Sequence, residues 1–331
     1  MRVGLALPHY DTSLAGRPVS WDGVRRAARR AEDAGLDSVW VSDHLFLDWG
    51  KYGGPDDVQG CLECFTTLAA LAAATDRVRI GSLAVCNDLR NPGLVAKMAA
   101  TLDLLSGGRL ELGIGAGWYE PEYEAAGIRF DPPAMRIDRL GEAIEVIGAL
   151  LEGDEVKRSG PHYVFDGAIC RPLPAQRPRP PIWIGGKGDL LLKTAARAAD
   201  GWNFSWLGDL EAYRKRSEAA DRACDETGRD PKTLRRSVGA YVVAGEDGSD
   251  ARKRFERLAE RTVPGVLTGV SWEEFRRDRI AGTVTEVAGT LGGLSELGVE
   301  EVVVTVGTLP FQLADEDDID LIGEVAAALR G

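Results

Sequence analysis

His44 stands where a proton-transfer group would be useful, directly after a short apolar run and beside a carboxylate. It is one of three histidines in the 331-residue chain, and Ser42 and Asp43 precede it. An imidazole titrates near neutral pH, so it can donate or accept a proton during turnover. Asp43 could orient the ring or bind a ligand N–H, but an aspartate after a strand is as often a turn or cap residue. Position alone leaves a catalytic and a structural role for His44 equally open.

Gly185, Gly186, Lys187 and Gly188 form a candidate anion site. They separate a short apolar run from a predicted helix that begins at Asp189. Backbone N–H groups in such a turn can point at a phosphate, with the helix N-terminus behind them. The alternative is a glycine-rich tight turn without a ligand.

Three of the eight tryptophans, Trp49, Trp118 and Trp206, fall just beyond predicted strand ends. A flat ligand ring could stack on indoles in these positions. Any single tryptophan is more often a packing residue, but three at the same end of neighbouring strands favour an aromatic cofactor.

These residues follow strands in a regular alternation of strand and helix patterns. Short runs rich in Val, Ile and Leu alternate with helical stripes along the whole chain, which is typical of βα units around a parallel sheet. The predicted strands are 3–7, 38–41, 78–85, 110–114, 181–185, 201–204, 234–243 and 301–306. The predicted helices are 21–34, 64–74, 93–105 and 136–151, one from 189, 210–226, one from 283 with a capping box at Thr283–Glu286, and 319–329.

Eight such units predict an α/β fold of the (β/α)8 barrel type, in which the loops after the strands build the active site. An open, doubly wound sheet is the alternative, because it has the same alternation and differs only in closure. We expect one domain over residues 1–331. A barrel needs about 250 residues, so the surplus is expected in two insertions, a hairpin at 155–174 and a longer segment at 245–282.

Composition narrows the function classes. The formal net charge of −12 argues against a nucleic-acid partner, because phosphate-backbone binding depends on clustered Lys and Arg. No run of apolar residues is long enough to cross a membrane and no secretory signal is visible, so a cytoplasmic location is expected. Five cysteines exclude a complete disulfide framework, and Cys61 and Cys64 form a lone C-x-x-C without a second pair, so we expect no metal site.

Five stretches give the chain a resemblance to a known family. They are Ser42-Asp43-His44, residues 81–85 followed by Arg90-Asn91-Pro92, residues 99–110, residues 113–118 and residues 181–186. Through them the chain resembles, over nearly its whole length, the luciferase-like monooxygenase superfamily, and within it the oxidoreductases that use the deazaflavin coenzyme F420. The resemblance implies a (β/α)8 barrel that carries its flavin or deazaflavin at the C-terminal mouth.

The resemblance also implies roles for the matching residues. His44 corresponds to the histidine beside the ring that serves proton transfer, and Asp43 to the carboxylate that hydrogen-bonds the deazaflavin head. The ring would lie against the strand end formed by Leu83, Ala84 and Val85, with a non-proline cis peptide within residues 83–86. The implied phosphate contacts come from two turns, which are Gly115, Ala116 and Gly117 in one and Gly185, Gly186 and Lys187 in the other. Trp49 and Trp118 are assigned to the substrate pocket, although Trp49 is offset by one residue from its counterpart in sugar-phosphate-oxidising relatives.

One position departs from those sugar-phosphate dehydrogenases. They have a glutamate after the Gly-x-Gly turn, where this chain has Trp118. Glu120 or Glu122 could replace it, but on a loop rich in Pro and Tyr a solvated or capping role is at least as common. The departure favours a reductase or monooxygenase that acts on a more apolar substrate.

The expected activity is hydride transfer between reduced deazaflavin and a small unsaturated organic substrate, with His44 assisting proton transfer. One alternative is an FMN-dependent monooxygenase that receives reduced flavin from a separate reductase, and another is a flavin-binding protein without turnover. Several FMN enzymes of the family bind the phosphate with an arginine at the end of the fourth strand. Residues 113–117 contain no arginine, so we expect F420 rather than FMN. Family habit also predicts a homodimer.

Overall fold

The computed structural model describes residues 1–208 and 210–331. The strands in chain order are β1 (Arg2–Ala6), β2 (Ser38–Val41), β3 (Phe46–Asp48), β4 (Val58–Gly60), β5 (Arg79–Ser82), β6 (Val85–Cys86), β7 (Leu110–Gly115), β8 (Val156–Ser159), β9 (Val164–Ala168), β10 (Ile182–Gly185), β11 (Gly201–Leu207), β12 (Arg235–Gly245), β13 (Ile280–Thr283) and β14 (Glu301–Thr305). The helices are α1 (Trp21–Asp33), α2 (Cys64–Ala74), α3 (Pro92–Leu105), α4 (Glu120–Ala125), α5 (Pro133–Glu152), α6 (Asp189–Ala198), α7 (Leu210–Thr227), α8 (Gly248–Arg261), α9 (Trp272–Asp278), α10 (Val284–Glu296) and α11 (Asp318–Ala328).

Eight parallel strands close into a barrel. The order around it is β1, β2, β5, β7, β10, β11, β12 and β14, and β14 pairs again with β1. The pairing that rules out an open sheet is β7 with β10, where Leu112 lies opposite Ile182. The predicted (β/α)8 barrel is therefore confirmed, and the doubly wound alternative, which would leave two free edges, is wrong.

Local sequence signals explain why these segments form helices. The stripe of Val24, Ala27, Ala28 and Ala31 in α1 is fully buried against the strands, as the i, i+3, i+4, i+7 spacing predicts. Helix α3 begins with Pro92 directly after an asparagine cap.

Helix α10 begins with the predicted capping box. Thr283 Oγ1 accepts a hydrogen bond from the Glu286 backbone N–H, and the Glu286 side chain accepts one from the Thr283 N–H. In the described part of the chain, no helix combines the length and apolar character needed to cross a membrane.

The two insertions and the loop after β2 contain strands and helices that the sequence patterns predicted only in part. Residues 155–174 hold an antiparallel hairpin of β8 and β9, and residues 245–282 hold α8, α9 and most of β13. Strand β13 pairs in parallel with the end of β12, and β3 pairs with β4 in a hairpin after β2; neither was predicted. Strands of three or four residues are too short to show the alternation of apolar and polar residues by which a strand is recognised in a sequence.

Candidate functional site

A cavity of about 550 Å³ opens at the C-terminal ends of the barrel strands. Its wall includes Asp43 and His44 after β2, residues 83–85 around the start of β6, residues 115–118 after β7 and residues 185–187 after β10. The barrel thus brings these predicted residues to one cavity. Trp49 is the predicted site residue that the structure places elsewhere.

His44 has a different partner from the one the sequence suggested. Its Nδ1 lies 2.9 Å from Oε1 of Glu122, whose second oxygen accepts a hydrogen bond from the Leu45 N–H at 3.0 Å. Glu122 is 1% exposed. Of the roles left open for Asp43, orientation of the ring is therefore taken by Glu122 instead, and Glu122 is not solvated, because α4 turns this side chain inward towards the loop after β2.

Asp43 is engaged on the other side of the β2 loop. Its carboxylate accepts two hydrogen bonds from the Arg90 guanidinium, at 2.6 and 3.0 Å, and one from the Cys86 N–H at 2.9 Å. This bidentate pair neutralises the Asp43 charge and ties the end of β2 to β6. A ligand N–H that approaches Asp43 would therefore share an oxygen that already has a partner.

The wall at residues 83–85 is poor in side chains. The peptide bond between Leu83 and Ala84 is cis, within the predicted stretch, and it separates β5 from β6. A Cβ added to Gly113, Gly115 or Gly185 would lie 3.8 Å from the Ala84 methyl group. Glycine at these positions leaves no side chain against the Ala84 methyl group, which leaves room for a flat ring beside it.

Gly117 closes this part of the wall. Its φ is +72°, and an added Cβ would lie 1.8 Å from the Tyr123 hydroxyl oxygen. Any larger residue would therefore displace the turn that follows β7.

The candidate anion site differs in one detail from the prediction. The Gly186 N–H already donates to the Asn203 carbonyl at 3.1 Å, so this amide is not free for a phosphate. Other candidate donors include the first amides of α6, which have no side-chain acceptor at the cap because the cap residue, Gly188, is a glycine. Lys187 Nζ donates to the Trp206 carbonyl at 3.1 Å, and partial burial lowers the pKa of this lysine.

The two tryptophans assigned to the substrate pocket have different environments. Trp118 is 40% exposed, and its ring lies edge-on to His44 with 5.4 Å between centroids. Trp49 is 1% exposed, packs against Tyr10, and donates from Nε1 to the Thr12 hydroxyl. Its assignment to the substrate pocket is corrected: the 3₁₀ turn Trp49–Tyr52 directs the indole into the core behind Tyr10.

The sequence patterns did not single out Tyr10, which also lines the cavity. Its hydroxyl is hydrogen-bonded to Ser42 Oγ, which in turn lies 3.1 Å from His9 Nε2. His9 is fully buried, and burial lowers its pKa to about 4, so the ring is neutral at physiological pH. The loop after β1 is a strand end like the others, and the same rule would have identified Tyr10.

Arg136 is the second cavity residue that was missed. It lies in the first turn of α5, is 6% exposed, and donates to the main-chain carbonyls of Asp131, Ala116 and Gly117. Among the described residues it has no carboxylate within ion-pair distance, and its guanidinium, in the cavity wall, lies 4.0 Å from the centre of the Phe130 ring. A helix position has no simple sequence signal for reaching a barrel mouth, which explains the omission.

The two cysteines of the C-x-x-C sequence have different environments. Cys61 Sγ donates to the His44 carbonyl, and burial raises the pKa of this thiol to about 12. Cys64 is fully buried at the start of α2. Within residues 1–208 and 210–331, no group of three or more His, Cys, Asp or Glu side chains is placed to hold a metal ion.

Residues 1–300 match the family model of the luciferase-like monooxygenases. The chain belongs to this family. Its relatives in the family include a phthiodiolone/phenolphthiodiolone dimycocerosates ketoreductase of Mycobacterium sp. strain JLS, 33% identical over 75% of this chain and 67% of the relative. An F420-dependent glucose-6-phosphate dehydrogenase of Amycolatopsis mediterranei is 34% identical over 61% of each chain.

Solved luciferase-like structures share the whole fold. A monooxygenase of Streptomyces bottropensis superposes with a TM-score of 0.76 at 25% identity and covers 98% of both chains. An F420-dependent secondary alcohol dehydrogenase, solved with an F420–acetone adduct, superposes with a TM-score of 0.78 at 22% identity over 100% of this chain and 99% of that one. The chain is therefore a luciferase-like oxidoreductase whose relatives include an F420-dependent dehydrogenase.

Proposed function

We propose that this luciferase-like protein is a coenzyme F420-dependent oxidoreductase that transfers a hydride between the deazaflavin and a small organic substrate with a carbonyl or other unsaturated carbon. The observation that carries the proposal is that His44 lines the same cavity as the backbone wall at residues 83–85, so a proton-transfer group and a surface for a flat ring share one space. The F420-dependent dehydrogenase and the ketoreductase among the relatives support it.

The cavity offers separate places for a ring and for an anionic tail. The ring would lie against Leu83, Ala84 and Val85, where the neighbouring glycines leave room. The phosphate would lie at the N-terminus of α6, where helix amides and Lys187 favour negative charge.

Arg136 belongs to the same anion site. Helices α5 and α6 follow the neighbouring parallel strands β7 and β10, and a Cβ at Gly141 of α5 would lie 3.4 Å from Thr194 Cγ2 of α6. Five residues towards the N-terminus of each helix are Arg136 and Asp189. The first turns of the two helices therefore lie on the same side of the barrel, and because Arg136 and Lys187 both line the cavity, we assign the Arg136 guanidinium to the phosphate with Lys187.

The chemistry divides between the cofactor and the chain. When bound, the deazaflavin supplies a hydride donor or acceptor at C5 of its ring. His44 donates a proton to the substrate oxygen during reduction, or accepts one during oxidation. Tyr10, Trp118 and Phe311 line the cavity and keep water away from the reacting carbon, so they favour an apolar substrate.

A titration of the purified protein with F420 and with FMN, side by side, tests the cofactor. We expect micromolar or tighter binding of F420, which corresponds to about −8 kcal/mol, and binding of FMN weaker by about tenfold. Oxidation of reduced F420 should then depend on an added apolar ketone. Tighter binding of FMN, or FMN that co-purifies with the protein, would contradict the proposal.

The second candidate is the FMN-dependent monooxygenase, and Arg136 is the observation that favours it. The sequence predicted F420 because residues 113–117 lack an arginine, but α5 brings one to the turn at Ala116 and Gly117. Arg136 could therefore pair with the phosphate dianion of FMN. Substrate-dependent oxygen uptake with FMN and a flavin reductase would select this candidate.

A further inference from the structure

The buried carboxylate of Glu122 makes contacts that restrict where the proton of His44 can be. One Glu122 oxygen faces His44 Nδ1 at 2.9 Å, and the other accepts the Leu45 N–H at 3.0 Å. The backbone N–H is a donor in every protonation state, and an ionised carboxylate only accepts. With Glu122 ionised, the ring nitrogen that faces it carries the proton of this hydrogen bond.

This arrangement determines which nitrogen of His44 can exchange a proton with a ligand in the cavity. With the proton on Nδ1, the neutral ring has its free lone pair on Nε2. Nε2 is then the nitrogen that accepts a proton, and it becomes a donor once the ring is doubly protonated.

The other titratable groups around the His44 ring do not compete with Glu122 as the partner of Nδ1. Asp43 is engaged by Arg90, and burial keeps the Tyr10 hydroxyl and the Cys61 thiol protonated by raising the pKa of each. His9 is neutral and directs Nε2 to Ser42. Trp118 and Tyr119 add aromatic edges at 5.4 and 6.3 Å between ring centroids.

We propose that Glu122 is the positioning residue of His44, which holds the ring proton on Nδ1 and thereby assigns proton exchange with the substrate to Nε2. The consequence for turnover rests on the proposed function. The position of the ring proton does not, because it can be measured without any ligand.

Glu122→Gln is the informative substitution. An amide has one accepting oxygen and one donating NH2, and the fixed Leu45 N–H requires the oxygen. The NH2 group then faces Nδ1, which must become an acceptor, so the proton moves to Nε2. Glu122→Asp keeps the charge and both acceptors, and it should preserve the original arrangement in part.

Nitrogen-15 NMR of the histidine rings reads the proton position directly. The chain has three histidines, so His9→Asn and His162→Ala variants assign the signals. We expect the Nδ1–H form for His44 in the unliganded protein and the Nε2–H form in Glu122→Gln. Glu120→Gln is the matched control, because Glu120 is exposed on the same short helix and loses the same charge. It should leave the His44 signals unchanged.

Kinetics with F420 and a reducible ketone provide the second measurement. In Glu122→Gln we expect kcat to fall on the order of 10- to 100-fold, with the F420 dissociation constant changed less than about threefold. Glu122→Asp should restore part of kcat, and the pH profile of kcat should shift in Glu122→Gln but not in Glu120→Gln.

The outcomes separate this inference from the proposed function. An Nε2–H ring in the unsubstituted protein, or an unchanged ring in a folded Glu122→Gln variant, would overturn the positioning role. If Glu122→Gln does not fold, the position of the His44 ring proton in the unsubstituted protein and in Glu122→Asp still decides whether Glu122 has the positioning role. If the ring responds as expected but F420 does not bind, the positioning role stands and the proposed function fails.

Discussion

The two ends of the barrel both bury charge, but they balance it differently. At the N-terminal ends of the strands, Glu111 and Glu301 are almost fully buried and are ion-paired with Arg2, Arg79 and Arg235. Each carboxylate also accepts a hydrogen bond from a tryptophan N–H, which comes from Trp183 for Glu111 and from Trp40 for Glu301. The carboxylates at this end are therefore balanced within the protein.

At the C-terminal mouth the balance is incomplete. Asp43 and Glu122 have protein partners, but Arg136 and Lys187 donate to main-chain carbonyls, and neither has a carboxylate within ion-pair distance in the described residues. Arg136 is buried without a carboxylate partner, which is costly, and the proposed anionic ligand would offset this cost. The comparison therefore supports the proposal that one end of the barrel maintains the fold and the other binds the ligand.

The largest effect is expected from breaking the balanced end. Glu111→Ala would remove the acceptor of the Trp183 N–H and of Arg79 Nε and leave the Arg79 charge without its carboxylate, and should reduce the free energy of unfolding by about 3–5 kcal/mol. Denaturant unfolding measures this loss. Glu155→Ala, which removes one member of an exposed pair with Lys157, is the control and should change little. A similar loss in both variants would contradict the distinction.

His9 should make the stability depend on pH, although it lies behind the mouth. Its pKa is lowered by burial from 6.5 to about 4, so the unfolded chain binds more protons than the folded one between these values. Its contribution is fully present above pH 6.5 and is lost as the pH falls towards 4, by about 3 kcal/mol in total. Unfolding at several pH values should show a weaker dependence in His9→Asn. An equal dependence in the two proteins would assign the effect to other groups.

Removing the imidazole at the mouth should affect turnover rather than stability. In His44→Ala we expect kcat to fall on the order of 10²-fold, equivalent to about 2.7 kcal/mol, with F420 affinity changed by a few-fold at most. Steady-state kinetics and a binding titration check this. His162→Ala, in the hairpin and paired with Asp138, is the control. Unchanged turnover with a lowered melting temperature would show that His44 is structural.

The smallest effect is expected from Arg136→Gln. Affinity for F420 should fall by about tenfold, equivalent to 1.4 kcal/mol, whereas affinity for the phosphate-free deazaflavin riboside should stay the same. Fluorescence titrations at two ionic strengths measure both. Arg139→Gln, one turn along α5, is the matched control because Arg139 is already paired with Asp88 and Asp131. Equal losses for both ligands would mean that Arg136 only supports the turn at Gly117.

The sequence by itself determined the barrel and most of the residues at its mouth. Apolar runs, helical stripes and capping signals are local patterns, and they predicted the eight βα units, both ends of α3 and the start of α10. Because every parallel strand of a barrel points its carboxyl end to the same side, residues after different strands, such as His44 and Gly185, were correctly placed at one cavity.

Only the tertiary structure decided which of these residues meet. His44 and Glu122 are 78 positions apart, and their contact depends on where the short helix α4 packs, which no local pattern describes. Barrel closure likewise uses the Gly186 amide for Asn203, turns Trp49 into the core and brings Arg136 from a helix to the mouth. The physical reason is that sequence periodicity specifies which face of an element is buried, whereas hydrogen-bond partners across the barrel depend on side-chain positions that exist only after the elements have packed.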